Sequence, residues 1–376
     1  MASELPKILV SFGTRPEAIK MFPVVAALKE SGRFQTRVAV TAQHREMLDQ
    51  VLDLAKITPD HDLDLMQHEQ SLDGLAGRIL TQFGKVLDTE LPDRVLVHGD
   101  TLTTSMVAQA CYFRKIPVGH VEAGLRSGDN YSPWPEEVNR KIVSTIADLH
   151  FAPTNAAADA LRTENISRAS IYVTGNSVID ALLSTRRKLE DEPALAQQVS
   201  TLKATHFGKR VIAVTAHRRE NFGTPMRNIA EALLELSQRD DLAIIYPVHP
   251  NPAIGEVMRA TLAGQPNISL IEPLDYPDFV ALMELSHIVL TDSGGVQEES
   301  PSLGKPVLVM RDTTERPEGV AAGTARLIGT DQDAIVREVS ALLDDEAHYQ
   351  SMAKAHNPYG DGNTASRIAA IIAENC

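Results

Sequence analysis

Cysteine is almost missing from this chain of 376 residues: Cys111 and Cys376 are the only two. Two cysteines cannot build a disulfide framework, which suits a reducing compartment and a cytoplasmic protein. Long apolar runs are missing as well. None reaches the roughly 18 residues needed to cross a bilayer. The N-terminus has no basic region followed by a long apolar stretch, so no signal peptide is visible. Positive charge is in deficit: 36 Lys and Arg against 50 Asp and Glu give a formal net charge of −14. That balance argues against a nucleic-acid surface. It leaves room for a small anionic ligand, because local arginines outweigh a distant global charge. Three cofactor signatures are also missing. No G-x-G-x-x-G follows the first apolar run, against a tightly held NAD. Gly304-Lys305 is followed by Pro306, with no glycine five residues upstream, so there is no P-loop. No Cys pair or close His pair offers a transition-metal site. The expected reaction uses no redox cofactor and no metal.

What is present is a repeated alternation of apolar strands and helical stretches. In the first half, strands are expected at 8–10, 38–40, 95–97 and 118–121, with helices at 15–30, 45–54 and 101–113. In the second half, strands are expected at 211–214, 243–246, 268–271, 288–290 and 307–310, again with helices between them. Alternation of this kind predicts parallel sheets covered by helices on both faces. At this length two domains are the default. The fold class expected is α/β, with two Rossmann-like domains facing a cleft and a hinge near Gly175.

In such sheets ligands bind beyond the carboxyl ends of the strands. The polar motifs fall there. Gly13-Thr14-Arg15, Gly99-Asp100-Thr101, Glu122-Ala123-Gly124, His217-Arg218-Arg219-Glu220 and Ser293-Gly294-Gly295 each follow an apolar strand. Ser293-Gly294-Gly295 can open a helix whose free N–H groups and dipole suit a phosphate or diphosphate. Glu299, one turn further on, is placed to accept from ribose hydroxyls. The same string is also what a Gly-rich turn with an N-cap serine looks like. Asp100, Glu122 and the pair Glu136-Glu137, with Arg140 one turn on, could divide acid and base roles if their surroundings separate their pKa values. Acids at helix starts serve equally as caps. The run 311–318 (RDTTERPE), which carries Arg311 and Arg316, reads either as a loop folded over an anion or as a solvated surface loop.

Taken together, these strings closely resemble the bacterial non-hydrolysing UDP-N-acetylglucosamine 2-epimerases. The resemblance is carried by 12–20 (FGTRPEAIK), 41–50 (TAQHREMLDQ), 98–101 (HGDT), 119–126 (GHVEAGLR), 133–137 (PWPEE), 217–220 (HRRE), 292–299 (DSGGVQEE) and 311–318 (RDTTERPE). It runs in order from about Lys7 to the last helix.

The resemblance implies the two-domain glycosyltransferase-B fold, with domains at 1–175 and 176–362 and a final helix, 363–376, crossing back to the first. It implies reversible interconversion of UDP-GlcNAc and UDP-ManNAc by elimination of UDP, through 2-acetamidoglucal, with no cofactor. By motif position, Asp100, Glu122, Glu136 and His217 are the matching catalytic residues. Arg15, Lys20, Arg140, Ser293, Gly294, Gly295, Glu299 and Arg316 match the substrate-binding set. Gln43, Gln70, Arg218, Glu220 and His249 match positions implicated in binding a second UDP-GlcNAc as activator. Glu69 departs from the Arg of some activator-dependent members. The partners implied are the two sugar nucleotides and a second copy of the chain in a homodimer, with no nucleic acid and no membrane. The product would feed surface polysaccharide synthesis. A retaining glycosyltransferase of the same fold, a hydrolysing epimerase and an inactive sugar-nucleotide-binding protein are the competing readings.

Overall fold

The computed structural model of the chain describes residues 5–42, 45–66 and 71–376, with the backbone alone for Glu46. The chain folds as two compact units: Met1–Ala181 together with Gly360–Cys376, and Leu182–Tyr359. The division falls inside the helix Ser177–Asp191.

The first unit is built on seven strands: β1 Lys7–Phe12, β2 Gln35–Val40, β3 His61–Asp62, β4 Arg94–His98, β5 Val118–Val121, β6 Leu149–Ala152 and β7 Ile171–Val173. Their order is β3-β2-β1-β4-β5-β6-β7, and every pairing is parallel. Helices cover the sheet, so its central strands are apolar on both faces, as parallel sheets require. Every residue of β4, RVLVH, is buried. Val95 and Val97 pack with Ile79 and Phe83 of the helix Leu72–Glu90 and with Val107 and Cys111 of the helix Leu102–Tyr112. The last helix, Thr364–Glu374, packs on the helix Arg15–Glu30. Asp180 holds its start by accepting the N–H of Ala365 at 2.9 Å. Arg94 holds its end through the carbonyl of Asn375 at 3.2 Å.

The second unit has six parallel strands: β8 Arg210–Thr215, β9 Leu242–Pro247, β10 Ile268–Ile271, β11 Ile288–Thr291, β12 Val307–Val309 and β13 Ala325–Leu327. Their order is β10-β9-β8-β11-β12-β13. Ile212, Val214, Ile244, Leu290 and Leu308 form its core with Met226, Ile229 and Leu233 of the helix Thr224–Leu236.

Both sheets reverse direction of growth once, between β1 and β4 and between β8 and β11. These are the topological switch points where doubly wound sheets take their ligands. β3, β6, β7 and β13 do not stand out in the sequence. β3 is two polar residues long, and β6 is the four-residue LHFA. The polar stretch from 186 to 209 is largely helical. It carries the end of the helix Ser177–Asp191 and the whole of the helix Gln197–Thr205. Among the described residues no helix is long and apolar enough to cross a membrane.

Candidate active site

The first unit gathers its polar residues at the β1–β4 switch point. Thr14 caps the helix Arg15–Glu30 in a full capping box, with Glu17 reaching back to the cap. Glu17 is buried and takes five donors: the backbone N–H groups of Gly13 and Thr14 and the hydroxyls of Thr14, Thr101 and Thr104. Burial raises its pKa, and these donors only partly offset the shift. Gly13 has no room for a side chain. A Cβ there would lie 2.2 Å from the Thr41 hydroxyl and 2.6 Å from that of Thr103. Arg15, the first residue of the helix, is carried by this locked turn.

The carboxylates stand at the ends of β4 and β5. Glu122 is nearly buried and pairs with Lys20, which comes from the helix after β1. Asn176 donates to the same oxygen, Oε2, at 2.9 Å. The His98 ring lies 3.8 Å from the other oxygen. Burial lowers the His98 pKa to about 4, so the ring is neutral. Asp100 pairs with Arg140, and Asn139 donates to its carbonyl at 2.9 Å. Arg140 also reaches Glu137 at 3.1 Å. Glu137 is fully buried, and burial alone would raise it. The N–H groups of Ser127 and Gly128 and the Arg140 guanidinium win, and its pKa is lowered. Glu136 opens the helix Glu136–Ile146, and its Oε2 is buried without a hydrogen-bond partner among the described residues. The structure therefore pairs Lys20 with Glu122 and Arg140 with Asp100 at the ends of adjacent strands of this unit, and sets Glu136 on the helix that carries Arg140. Asn176 and His98 lie against Glu122, and the sequence reading assigned them no role. Asn176 follows the expected hinge glycine, and His98 opens the HGDT string, so both signals were present in position but not in residue type.

The second unit does the same at the β8–β11 switch point. Asp292, fully buried after β11, accepts the backbone N–H groups of His217 and Arg218 at 2.8 and 2.9 Å and the Asn221 side chain at 3.0 Å. Nδ1 of His217 lies 3.3 Å from its other oxygen. The His217 ring stacks on that of His249, with centroids 5.9 Å apart. Ser293 precedes the short helix Gly294–Glu299 and makes no side-chain cap bond. Gly295 has no neighbour closer than Glu299 Oε1, 3.7 Å from where its Cβ would be. Glu299 is buried, and Tyr276 donates to it at 2.9 Å.

Arg218 pairs with Glu315, and Arg311 pairs with both Glu220 and Glu315. Burial would raise the Glu315 carboxyl, but the Arg311 and Arg218 guanidinium groups hold it at about 2. Arg316 pairs with Glu298, and its carbonyl accepts from Tyr359 at 3.1 Å. The run 311–318 is thus a folded, internally paired segment. Gln43 and Gln70 lie outside the described residues. Among those described, no group of three or more His, Cys, Asp or Glu side chains is placed to hold a metal ion.

The family model described as UDP-N-acetylglucosamine 2-epimerase matches residues 26–373. The UDP-N-acetylglucosamine 2-epimerase of Salmonella typhimurium is 53% identical over 364 residues, covering 96% of this chain and 97% of the relative. The crystal structure of the UDP-GlcNAc 2-epimerase of Neisseria meningitidis bound to UDP-GlcNAc is 46% identical with a TM-score of 0.90, covering 98% of this chain and all of that one. That of Methanocaldococcus jannaschii, in complex with UDP-GlcNAc and UDP, is 32% identical with a TM-score of 0.81, covering 98% of this chain and 99% of that one. With similarity of this depth over nearly the whole of its length, the chain belongs to the UDP-N-acetylglucosamine 2-epimerase family.

Proposed function

We propose that this protein is a non-hydrolysing UDP-GlcNAc 2-epimerase that works by elimination and re-addition of UDP. One observation carries the reading: the carboxylates Asp100 and Glu122 stand at the carboxyl ends of adjacent strands, each paired with a cation, in a chain that matches the family along its length. C2 of the sugar has no adjacent carbonyl, so its proton is too weakly acidic for simple abstraction. Breaking the C1–O bond in the same elimination solves this. The C2 proton passes to a carboxylate base, and the C1–O electron pair leaves on the β-phosphate oxygen of UDP. The product is 2-acetamidoglucal. Protonation of C2 from the opposite face and return of UDP to C1 complete the epimerisation.

Asp100, Glu122 and Glu136 supply the proton-transfer groups. Lys20 pairs with Glu122 and Arg140 with Asp100, and these contacts orient the two carboxylates. In the second unit the N–H groups at Ser293-Gly294-Gly295 receive the diphosphate, with Arg15 and Arg316 as the matching cations. Glu299 takes the ribose, and His217 assists UDP departure. A second UDP-GlcNAc, held by Arg218, Glu220 and His249 with Gln43 and Gln70, activates the enzyme. The active species is a homodimer in the cytoplasm that supplies ManNAc units for surface polysaccharide synthesis.

The test is an NMR time course on UDP-GlcNAc in deuterated water, with no acceptor, NAD or metal added. UDP-ManNAc carrying deuterium at C2 is expected. Epimer that keeps its original C2 hydrogen would sink the elimination route. Free ManNAc with UDP would mark a hydrolysing enzyme, and an unchanged substrate would favour a glycosyltransferase.

A further inference from the structure

We propose that Asp292 is the positioning residue of His217: it holds the imidazole by Nδ1 and so presents Nε2 to the departing diphosphate. The proposal rests on the reading of His217 as the group that assists UDP departure.

The pair is built by the sheet. β8 and β11 are neighbours in register, with Thr215 opposite Thr291. The residues just beyond them, Ala216-His217 and Asp292, therefore leave the sheet side by side at its switch point. Asp292 is fully buried, yet its carboxylate is only half satisfied. Oδ2 takes three donors, the N–H groups of His217 and Arg218 and the Asn221 amide. Oδ1 is buried and has no hydrogen-bond partner among the described residues. A buried carboxylate oxygen left without a donor is costly. The ring nitrogen 3.3 Å away is the donor that can relieve it, by a small turn about the His217 side-chain bonds. Three donors hold Oδ2 in place, so the turn is assigned to the ring.

The chemical consequence follows from the two nitrogens of imidazole. With Nδ1–H committed to Oδ1, the neutral ring carries its lone pair on Nε2, and the charged ring carries a second N–H there. The Nδ1 edge faces the buried carboxylate and 40% of the side chain is exposed, and the Nε2 edge is taken as the part open to the ligand. An imidazolium at that place donates to the β-phosphate oxygen as C1–O breaks and charge builds on it. Asp292 lowers the free energy of that imidazolium, the same role a buried aspartate plays beneath the histidine of a hydrolase triad. The groups facing the ring are Asp292, Arg218 and His249. Burial lowers its proton affinity, Asp292 raises it, and Arg218 and His249 lower it. Removing the carboxylate leaves only the opposing influences.

Two experiments test this on the intact protein. In the wild type labelled with ¹⁵N-histidine, the His217 signals, assigned with His217→Asn, are expected to show Nδ1–H in the neutral ring. The opposite tautomer overturns the proposal. Asp292→Asn is expected to reduce kcat by roughly 10–10³-fold, with UDP affinity by calorimetry changed less than about threefold and the basic limb of kcat/KM moved to lower pH. In a His217→Asn background the same substitution should cost nothing further. An equal loss in both backgrounds, or a loss seen only as weaker UDP binding, makes Asp292 a loop anchor and overturns the proposal. A fully active His217→Asn enzyme instead overturns the role of His217, while the tautomer measurement still decides whether Asp292 holds the ring.

Discussion

At the scale of single residues, Glu122 combines an unfavourable backbone with a heavily held side chain. Its φ is 62°, in the left-handed region that costs a non-glycine residue about 1–3 kcal/mol. Lys20 and Asn176 keep it there through one carboxylate oxygen. Asp100 is held by a different cation, Arg140, which it shares with the buried Glu137. These two acids therefore have different surroundings, as two opposed proton-transfer roles require. Asp100→Asn, Glu122→Gln and Glu136→Gln keep shape and remove charge. Each is expected to lower kcat by roughly 10²–10⁴-fold, with UDP affinity little changed because none of the three acids is assigned to the diphosphate. Steady-state rates and calorimetry check this. A variant with near-full activity returns that acid to the role of a helix-start charge.

At the scale of elements, the turn between β1 and the helix Arg15–Glu30 is organised by one carboxylate. Glu17 joins it to the start of the helix Leu102–Tyr112 through Thr101 and Thr104. Removing it strands two backbone N–H groups. Glu17→Ala is expected to cost about 2–3 kcal/mol. Glu17→Gln should cost far less, since an amide oxygen can face the N–H groups while the threonine hydroxyls rotate to accept from its NH₂. The pKa sign adds a second reading. The folded-state pKa is raised, so the wild-type carboxyl contributes most at low pH and loses that contribution as pH rises from about 4.5 through its folded value. Relative to wild type, Glu17→Gln should therefore gain stability between pH 4.5 and pH 7 in urea titrations. A difference that stays constant over that range contradicts the buried-carboxyl account.

At the scale of the whole molecule, the first unit carries a built-in acid weakness. Burial lowers His98 to about 4 and His120 to about 3, and His150 also lies below its ordinary value. A histidine depressed in the fold supplies stability that is present above about 6.5 and is lost as pH falls toward the folded value. Between pH 7 and pH 5 each of the two deepest rings should remove about 2 kcal/mol. Glu17 and Asp180, whose carboxyl pKa values burial raises, act in the opposite sense against these three rings. His120→Gln keeps a donor at the reach of Nε2 for the Gly99 carbonyl, which lies 2.7 Å from that nitrogen, and cannot titrate. Its urea midpoint should fall less from pH 7 to pH 5 than that of the wild type, and parallel declines would contradict this.

The activator belongs to the same scale. A ligand shifts a conformational equilibrium only by binding its two states unequally, and a coupling of about 1–3 kcal/mol is typical. The initial rate from purified UDP-ManNAc should be low and rise on adding a trace of UDP-GlcNAc, with the rise blunted in Glu220→Ala. Equal rates with and without the trace would remove the activator.

The strand runs at 8–10, 95–97, 211–214 and 288–290 were legible because parallel strands buried on both faces are continuous apolar runs. The motifs after them were legible because doubly wound sheets place their chemistry there. The family was legible because its strings are long and ordered. β3, β6, β7 and β13 were not: HD, LHFA and ARL are broken by polar or charged residues, and IYV is a run of three between polar segments. The pairings were not legible either. Lys20 and Glu122 are 102 residues apart, and His217 and Asp292 are 75 apart. No local pattern states that distant residues meet. Strand order and register decide it, by setting β1 beside β4, β4 beside β5 and β8 beside β11. The sequence by itself determined which residue types stand at the strand ends. Only the tertiary structure decided which cation faces which acid, and that one buried oxygen of Asp292 lies beside the His217 ring.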